Sequence, residues 1–122
     1  MRFAKRVFLI AGVYGVLLIT PMYFLERRVG TDSPPPITHP EYFYGFVGAA
    51  LTWQLVYLMI STDPYRFRPM MLLGGVAKTN FLIAVELLYF TGRAPGMVAG
   101  LALLDGVFAV LFVVAWLRTG DD

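Results

Sequence analysis

Three ionisable side chains lie inside stretches that are otherwise uncharged and apolar: Lys78, Glu86 and Asp105. Near the centre of an inserted helix each costs about 2.5–3.5 kcal/mol, so such residues face a bundle interior or a wet cavity. The chemistry open to them is internal pairing, ligand binding or proton handling. Lys78 stands about midway along a run that begins near Pro69, and Asp105 about midway along the next run, from Pro95. At about 1.5 Å per residue both reach the middle of a bilayer. The two runs are consecutive and joined by a tight turn, so the spacing predicts a Lys78–Asp105 ion pair. That pair is either a clamp fixing which helix faces touch, or a binding or proton-linked site.

The other polar groups extend this candidate site. Glu86 lies about 12 Å further along the same helix, nearer its outer end. Thr79 shares a face with Glu86, whereas Asn80 points away from Lys78. A helix polar on several sides either lies centrally in the bundle or contacts another subunit. Gln54, beside Trp53, supplies an amide for a bond across helices worth about 0.6–2 kcal/mol, or a ligand contact. Lys78, Asp105, Glu86, Asn80 and Gln54 therefore form the expected intramembrane polar site, and Tyr14 reads as packing.

Several chemistries are excluded. The 122 residues contain no cysteine and one histidine. Thiol–disulfide exchange, thiolate metal sites and iron–sulfur ligation are ruled out for this chain. A haem held between two intramembrane histidines cannot be built from it alone. His39, at the edge of a run beside Pro40, reads as structural or solvated, with contact to a quinone or a pigment metal as the functional option. No catalytic constellation and no metal site is visible. The chain needs no cofactor of its own, though lipid, quinone or pigment held by partners can touch it.

The elements that must position these residues follow from composition. Hydrophobic residues make up 58% and charged residues 15% of the chain. A soluble domain is about 45–50% apolar and about 25% charged, and a chain this short cannot hide the excess in one core. The expected fold is all-α, an integral membrane bundle of four transmembrane helices in a single domain over 1–122. Its spans cover about 5–25, 41–62, 69–91 and 95–117, each near the roughly 20 residues a bilayer requires. The first span is read as a retained helix rather than a cleaved signal, with a kink at Pro21. Residues 26–40, with Pro34-Pro35-Pro36, read as an extracytoplasmic extended segment, and Thr38 with Glu41 as a capping box.

Basic residues orient the bundle. Arg2, Lys5, Arg6, Arg66, Arg68 and Arg118 gather at one side against Arg27, Arg28 and Arg93 at the other, which predicts both termini in the cytoplasm. Arg66, Arg68, Arg2, Lys5 and Arg6 are expected to meet lipid headgroups, so the pI of about 9.1 calls for no nucleic acid. Small-residue pairs Gly96/Gly100, Ala102/Gly106 and Gly45/Ala49 have the spacing of close helix approach. Aromatic residues at span ends form interface belts.

The stretch Pro40-Glu41-Tyr42-Phe43-Tyr44-Gly45-Phe46 through Asp63-Pro64-Tyr65-Arg66-Phe67-Arg68-Pro69 resembles small uncharacterised four-span bacterial membrane proteins, similar to the DoxX-like group. The resemblance implies a four-helix membrane bundle and little about activity; the expected location is a bacterial cytoplasmic (inner) membrane. Small multidrug transporters share this size but use an acidic residue in their first helix, and Val7–Leu25 carries no charge. Sterol-isomerase-like enzymes use intramembrane histidine, whereas His39 lies outside the spans.

Three functions are then expected. The first is a non-catalytic accessory subunit of a larger membrane complex of respiratory or photosynthetic type, contacting lipids and other subunits. The second is a bundle binding a lipophilic small molecule. The third is a proton-coupled transporter acting as a homodimer.

Overall fold

The computed structural model describes residues 2–32 and 34–120, and the described chain is helical with no strand. Its elements are α1 (Arg2–Ile19), a 3₁₀ turn (Thr20–Phe24), α2 (Glu26–Asp32), α3 (Pro40–Thr62), α4 (Arg68–Phe90) and α5 (Gly96–Gly120). Four helical stretches are long and apolar enough to cross a membrane: Arg2–Phe24, Pro40–Thr62, Arg68–Phe90 and Gly96–Gly120.

Prolines and glycines set the boundaries. Pro21 lies in the first positions of the 3₁₀ turn that continues α1, where its missing N–H interrupts the i→i−4 ladder. Pro40 opens α3, where the absent N–H has no helical partner to lose. Gly92, at φ 77°, ends α4: its N–H donates to Tyr89 O (3.0 Å), and the Arg93 N–H donates to Leu88 O (2.7 Å). These two bonds close a Schellman motif, whose left-handed residue reverses the chain into α5 with little steric cost.

Two local expectations are corrected. Residues 26–40 are not extended throughout, because Glu26–Asp32 forms α2. Arg28 Nε donates to Asp32 Oδ2 (3.3 Å) and Thr31 Oγ1 donates to Arg27 O (2.9 Å) along that helix. The proline triplet begins after α2, so it terminates the helix instead of preventing it. Ser33, part of the same expected segment, lies outside the described residues. The capping box at Thr38 and Glu41 does not form either. Pro40 fixes the first helical position, which makes His39 the N-cap, with no side-chain capping bond to the backbone, and leaves Thr38 one residue too early.

The spanning helices pack as two hairpins. α1 lies along α3 and α4 along α5, with α1 against α5 and a lighter contact between α3 and α4 joining the pairs. The core is aromatic. Phe8 and Phe112 stack at 4.3 Å between centroids, and Tyr57 closes on them at 6.1 and 4.9 Å. Met71, Ile60, Ala11 and Ala115 complete this cluster, and a smaller one forms from Val85, Ala99 and Ala102. Because lipid tails are as apolar as these side chains, close packing and interhelical bonds hold such a bundle more than exclusion from water does.

Candidate intramembrane polar site

Lys78 leaves α4 on the face turned towards α5, and Asp105 leaves α5 on the face turned back. Nζ donates to Oδ1 at 3.1 Å, with the side chains 6% and 18% exposed. The ammonium also lies 5.4 Å from the Tyr57 ring centroid and 5.4 Å from that of Phe108. The negative faces of those rings attract the remaining positive charge, an interaction of about 2 kcal/mol once desolvated. One turn before Lys78, Gly74 lets α3 approach. A Cβ there would stand 2.9 Å from Tyr57 Cε1 and 3.3 Å from Phe112 Cδ2, both on fully buried rings. The sequence therefore seats the lysine beside a packed aromatic wall and opposite one carboxylate.

The other candidates divide by location. Gln54 is buried on α3, yet it bonds within its own helix, Nε2 donating to Ala50 O at 2.9 Å. Its Oε1 is buried without a hydrogen-bond partner among the described residues. Its side chain occupies the space over Gly15 of α1, where a Cβ would collide with the Gln54 amide. Glu86 is half-buried two turns beyond Lys78, and its Oε1 is likewise buried and unpartnered among the described residues. Neither group joins the Lys78–Asp105 pair. Asn80 lies on the side of α4 opposite Lys78 and Thr79 about 100° round from it; both are exposed, in a groove of about 450 Å³ between α4 and α5 with Leu72, Gly75, Val76, Ala109 and Val113.

The small-residue pairs are placed differently from one another. Ala102 is fully buried, and Gly106 receives Leu82, whose Cδ2 would lie 2.9 Å from an added Cβ. Gly96, Gly100, Gly45 and Ala49 are exposed, and an added Cβ at Gly45 or Gly100 would meet nothing within 4 Å. Ala102/Gly106 is therefore a close approach, and further ones, at Gly12 and Gly15 against α3 and at Gly74 against Tyr57, lie outside the expected pairs.

Comparison with family models, with curated proteins and with solved structures finds no match to this chain. Its chemistry must be read from its own residues.

Six of the ten basic residues collect at the end of the bundle formed by the α1 N-terminus, the α3–α4 turn and the α5 C-terminus. Arg2, Lys5, Arg6 and Arg66 are exposed there, and the Arg66 N–H donates to Asp63 Oδ1 at 3.2 Å. Arg68 turns inward instead, with Nε donating to Trp116 O at 2.9 Å and its guanidinium 4.3 Å from the Trp116 ring centroid. Arg118 covers Phe3 at 4.5 Å. His39 pairs with Glu41 at 3.2 Å in an exposed position, and no cluster suited to a metal ion occurs among the described residues.

The sequence reading missed the aromatic wall of Tyr57, Phe108 and Phe112 around the lysine. Its available signal was Phe108 at the midpoint of Gly96–Gly120, with Phe112 one turn further along the same face.

Proposed function

We propose that the chain is a non-catalytic accessory subunit that packs against other transmembrane helices in a larger membrane assembly. The observation that supports it most is the division of polar groups on α4. The central charges close on each other behind aromatic rings, whereas Thr79 and Asn80 face outward at the depth of the lipid tails. A closed ion pair serves as a clamp and leaves no reactive group presented to a substrate. Outward polar groups at that depth need partners that lipid cannot supply.

In this reading both termini face the cytoplasm of a bacterial inner membrane, because the basic end holds both of them. The resemblance of α3 and the α3–α4 turn to small four-span bacterial membrane proteins of DoxX-like type favours the same setting. Lipid phosphates meet the exposed arginines, and any quinone or pigment belongs to neighbouring subunits.

Mass measurement after mild extraction from native membranes tests this. Recovery with larger membrane subunits is expected, and a monomer carrying nothing would overturn the proposal. A second reading, binding of a lipophilic molecule, draws on the buried unpartnered oxygens of Gln54 and Glu86. A monomer retaining an apolar small molecule would favour it.

A further inference from the structure

We infer that the bundle holds a water-filled half-channel, open at the end that carries the α1–α3 and α4–α5 loops and closed at middle depth beneath the Lys78–Asp105 pair. The inference goes beyond the accessory reading, because it concerns the space between the hairpins and not their outer faces.

The first observation is how the two hairpins are joined. The chain passes from one to the other at the α3–α4 turn, on the end that carries both termini. The aromatic cluster of that half draws on all four spanning helices, with Phe8, Tyr57, Met71 and Phe112 fully buried. The cluster of the other half, Val85, Ala99 and Ala102 with Phe81, Leu82 and Val98, belongs to α4 and α5 alone. There α1 keeps to α3, with the Gln54 side chain over Gly15 and Tyr23 stacked on Tyr44. Phe46 and Phe81 stack across the α3–α4 side at 5.9 Å between centroids.

The second observation is burial along the interior lines of the diagonal helices α3 and α5. Residues seven apart share a helix face. On α5, Phe112 and Thr119 are fully buried, whereas Val98 and Asp105 on the same line are half-buried. On α3, Tyr57 is fully buried, whereas Phe43 and Ala50 on its line are half-buried. A sealed bundle would bury each line from end to end. The interior is therefore packed in the half with the termini and open in the other.

The third observation decides what fills the open half. Asp105 stands at its floor, with Oδ1 bonded to Lys78 and the side chain still 18% exposed. A charged group at middle depth faces a bundle interior or a wet cavity, because hydrocarbon cannot solvate it. Water meets that demand and an acyl chain does not. Beneath the pair, the Phe8–Phe112 stack and the Tyr57 ring close the interior. Solvent thus reaches the pair from one surface only.

Thiol labelling in membrane vesicles of each sidedness tests this, because the chain has no cysteine and each single-cysteine variant carries one thiol. The probe is a charged, membrane-impermeant methanethiosulfonate. Thr91→Cys and Tyr65→Cys, both exposed, mark the two surfaces. Ala50→Cys and Leu101→Cys, half-buried on the interior faces of α3 and α5, should label from the Thr91 surface. Leu55→Cys and Leu103→Cys are more exposed but lie on outer faces of the same helices. They should label about tenfold more slowly or less, since the reactive thiolate forms in water and not in hydrocarbon. Ala115→Cys, fully buried in the packed half, should stay unlabelled from the Thr91 surface. Labelling of Ala50→Cys and Leu101→Cys no faster than of Leu55→Cys and Leu103→Cys would overturn the inference, since the space is then closed or filled by lipid. So would their labelling from the Tyr65 surface, or labelling of Ala115→Cys as fast as theirs. The two interior positions lie on different helices, so disruption of one variant leaves the other to decide. Co-purification with other subunits is a separate readout, so this inference and the accessory proposal fail independently.

Discussion

The hairpins α1/α3 and α4/α5 have similar lengths and composition but are joined by different forces. Between α1 and α3 the contact is steric. Gly12 admits Leu58 and Gly15 admits Gln54, and the Gln54 amide turns back to Ala50 of its own helix. Between α4 and α5 polar bonds cross from helix to helix: Lys78 to Asp105 in the middle and Arg68 to Trp116 at one end. A steric contact is specified by shape alone and tolerates apolar exchange. A charge pair fixes the register of two helices and penalises any arrangement that separates the charges. The comparison teaches that one bundle can combine an adaptable hairpin with a registered one, and that its polar residues report on the second.

The strongest way to break this contrast is to remove one charge. Asp105→Leu strands the Lys78 ammonium between Tyr57 and Phe108, and loss of one partner from a buried pair costs about 3–5 kcal/mol. Denaturant unfolding in detergent should register a destabilisation of that size. The double variant Lys78→Met/Asp105→Leu should recover most of it, since apolar replacement of a whole buried pair is often neutral or stabilising. If the double variant is as unstable as the single one, the pair is not what the single variant lost. Retained association with other subunits in the double variant would mark the pair as a clamp, and loss of association would assign it a role in the contact.

Shape should matter most in the other hairpin. Gly15→Val places a branched side chain where the Gln54 amide lies and should cost about 1–3 kcal/mol through overpacking. Adding Gln54→Ala empties that space and should restore part of the loss, measured in the same unfolding assay. A Gly15→Val protein as stable as the parent would refute the close approach of α1 to α3. Arg68→Ala, in the registered hairpin, removes the bond to Trp116 O and the ring contact, for about 1–2 kcal/mol.

The same contrast explains what was legible in the sequence. The four spans were legible because bilayer thickness turns apolar length into an element directly. Lys78 and Asp105 could be set opposite each other because depth is arithmetic across a tight turn, and the Schellman motif at Gly92 supplies that turn. The steric contacts were legible only in part: Ala102/Gly106 sits at a close approach, with Leu82 over Gly106. Spacing identifies which small residues share a face but not what that face meets, so Gly96/Gly100 and Gly45/Ala49 carry the pattern while exposed. Gly12, Gly15 and Gly74 are identified only by the side chains that enter beside them. α2 escaped because its support is two local bonds in a segment whose composition is dominated by the prolines after it. Gln54 was expected to bond across helices, and only the structure reveals that its donor is spent on Ala50.

Gln54 gives the smallest and most discriminating effect. Its Oε1 is buried and unpartnered among the described residues, and its Nε2 bonds a carbonyl of its own helix, so the amide adds no link between α1 and α3. Gln54→Leu keeps comparable volume over Gly15 and removes the desolvated oxygen, whose burial costs about 1–3 kcal/mol when unpaired. The lost helix-internal bond offsets part of that gain, so stability should stay level or rise by up to about 1 kcal/mol. A fall of more than about 1 kcal/mol would mean that the oxygen is paired in the membrane, with a ligand or a neighbouring helix. Polar removal would then weaken both hairpins, and the distinction between steric and registered contacts would fail at the residue where it is sharpest.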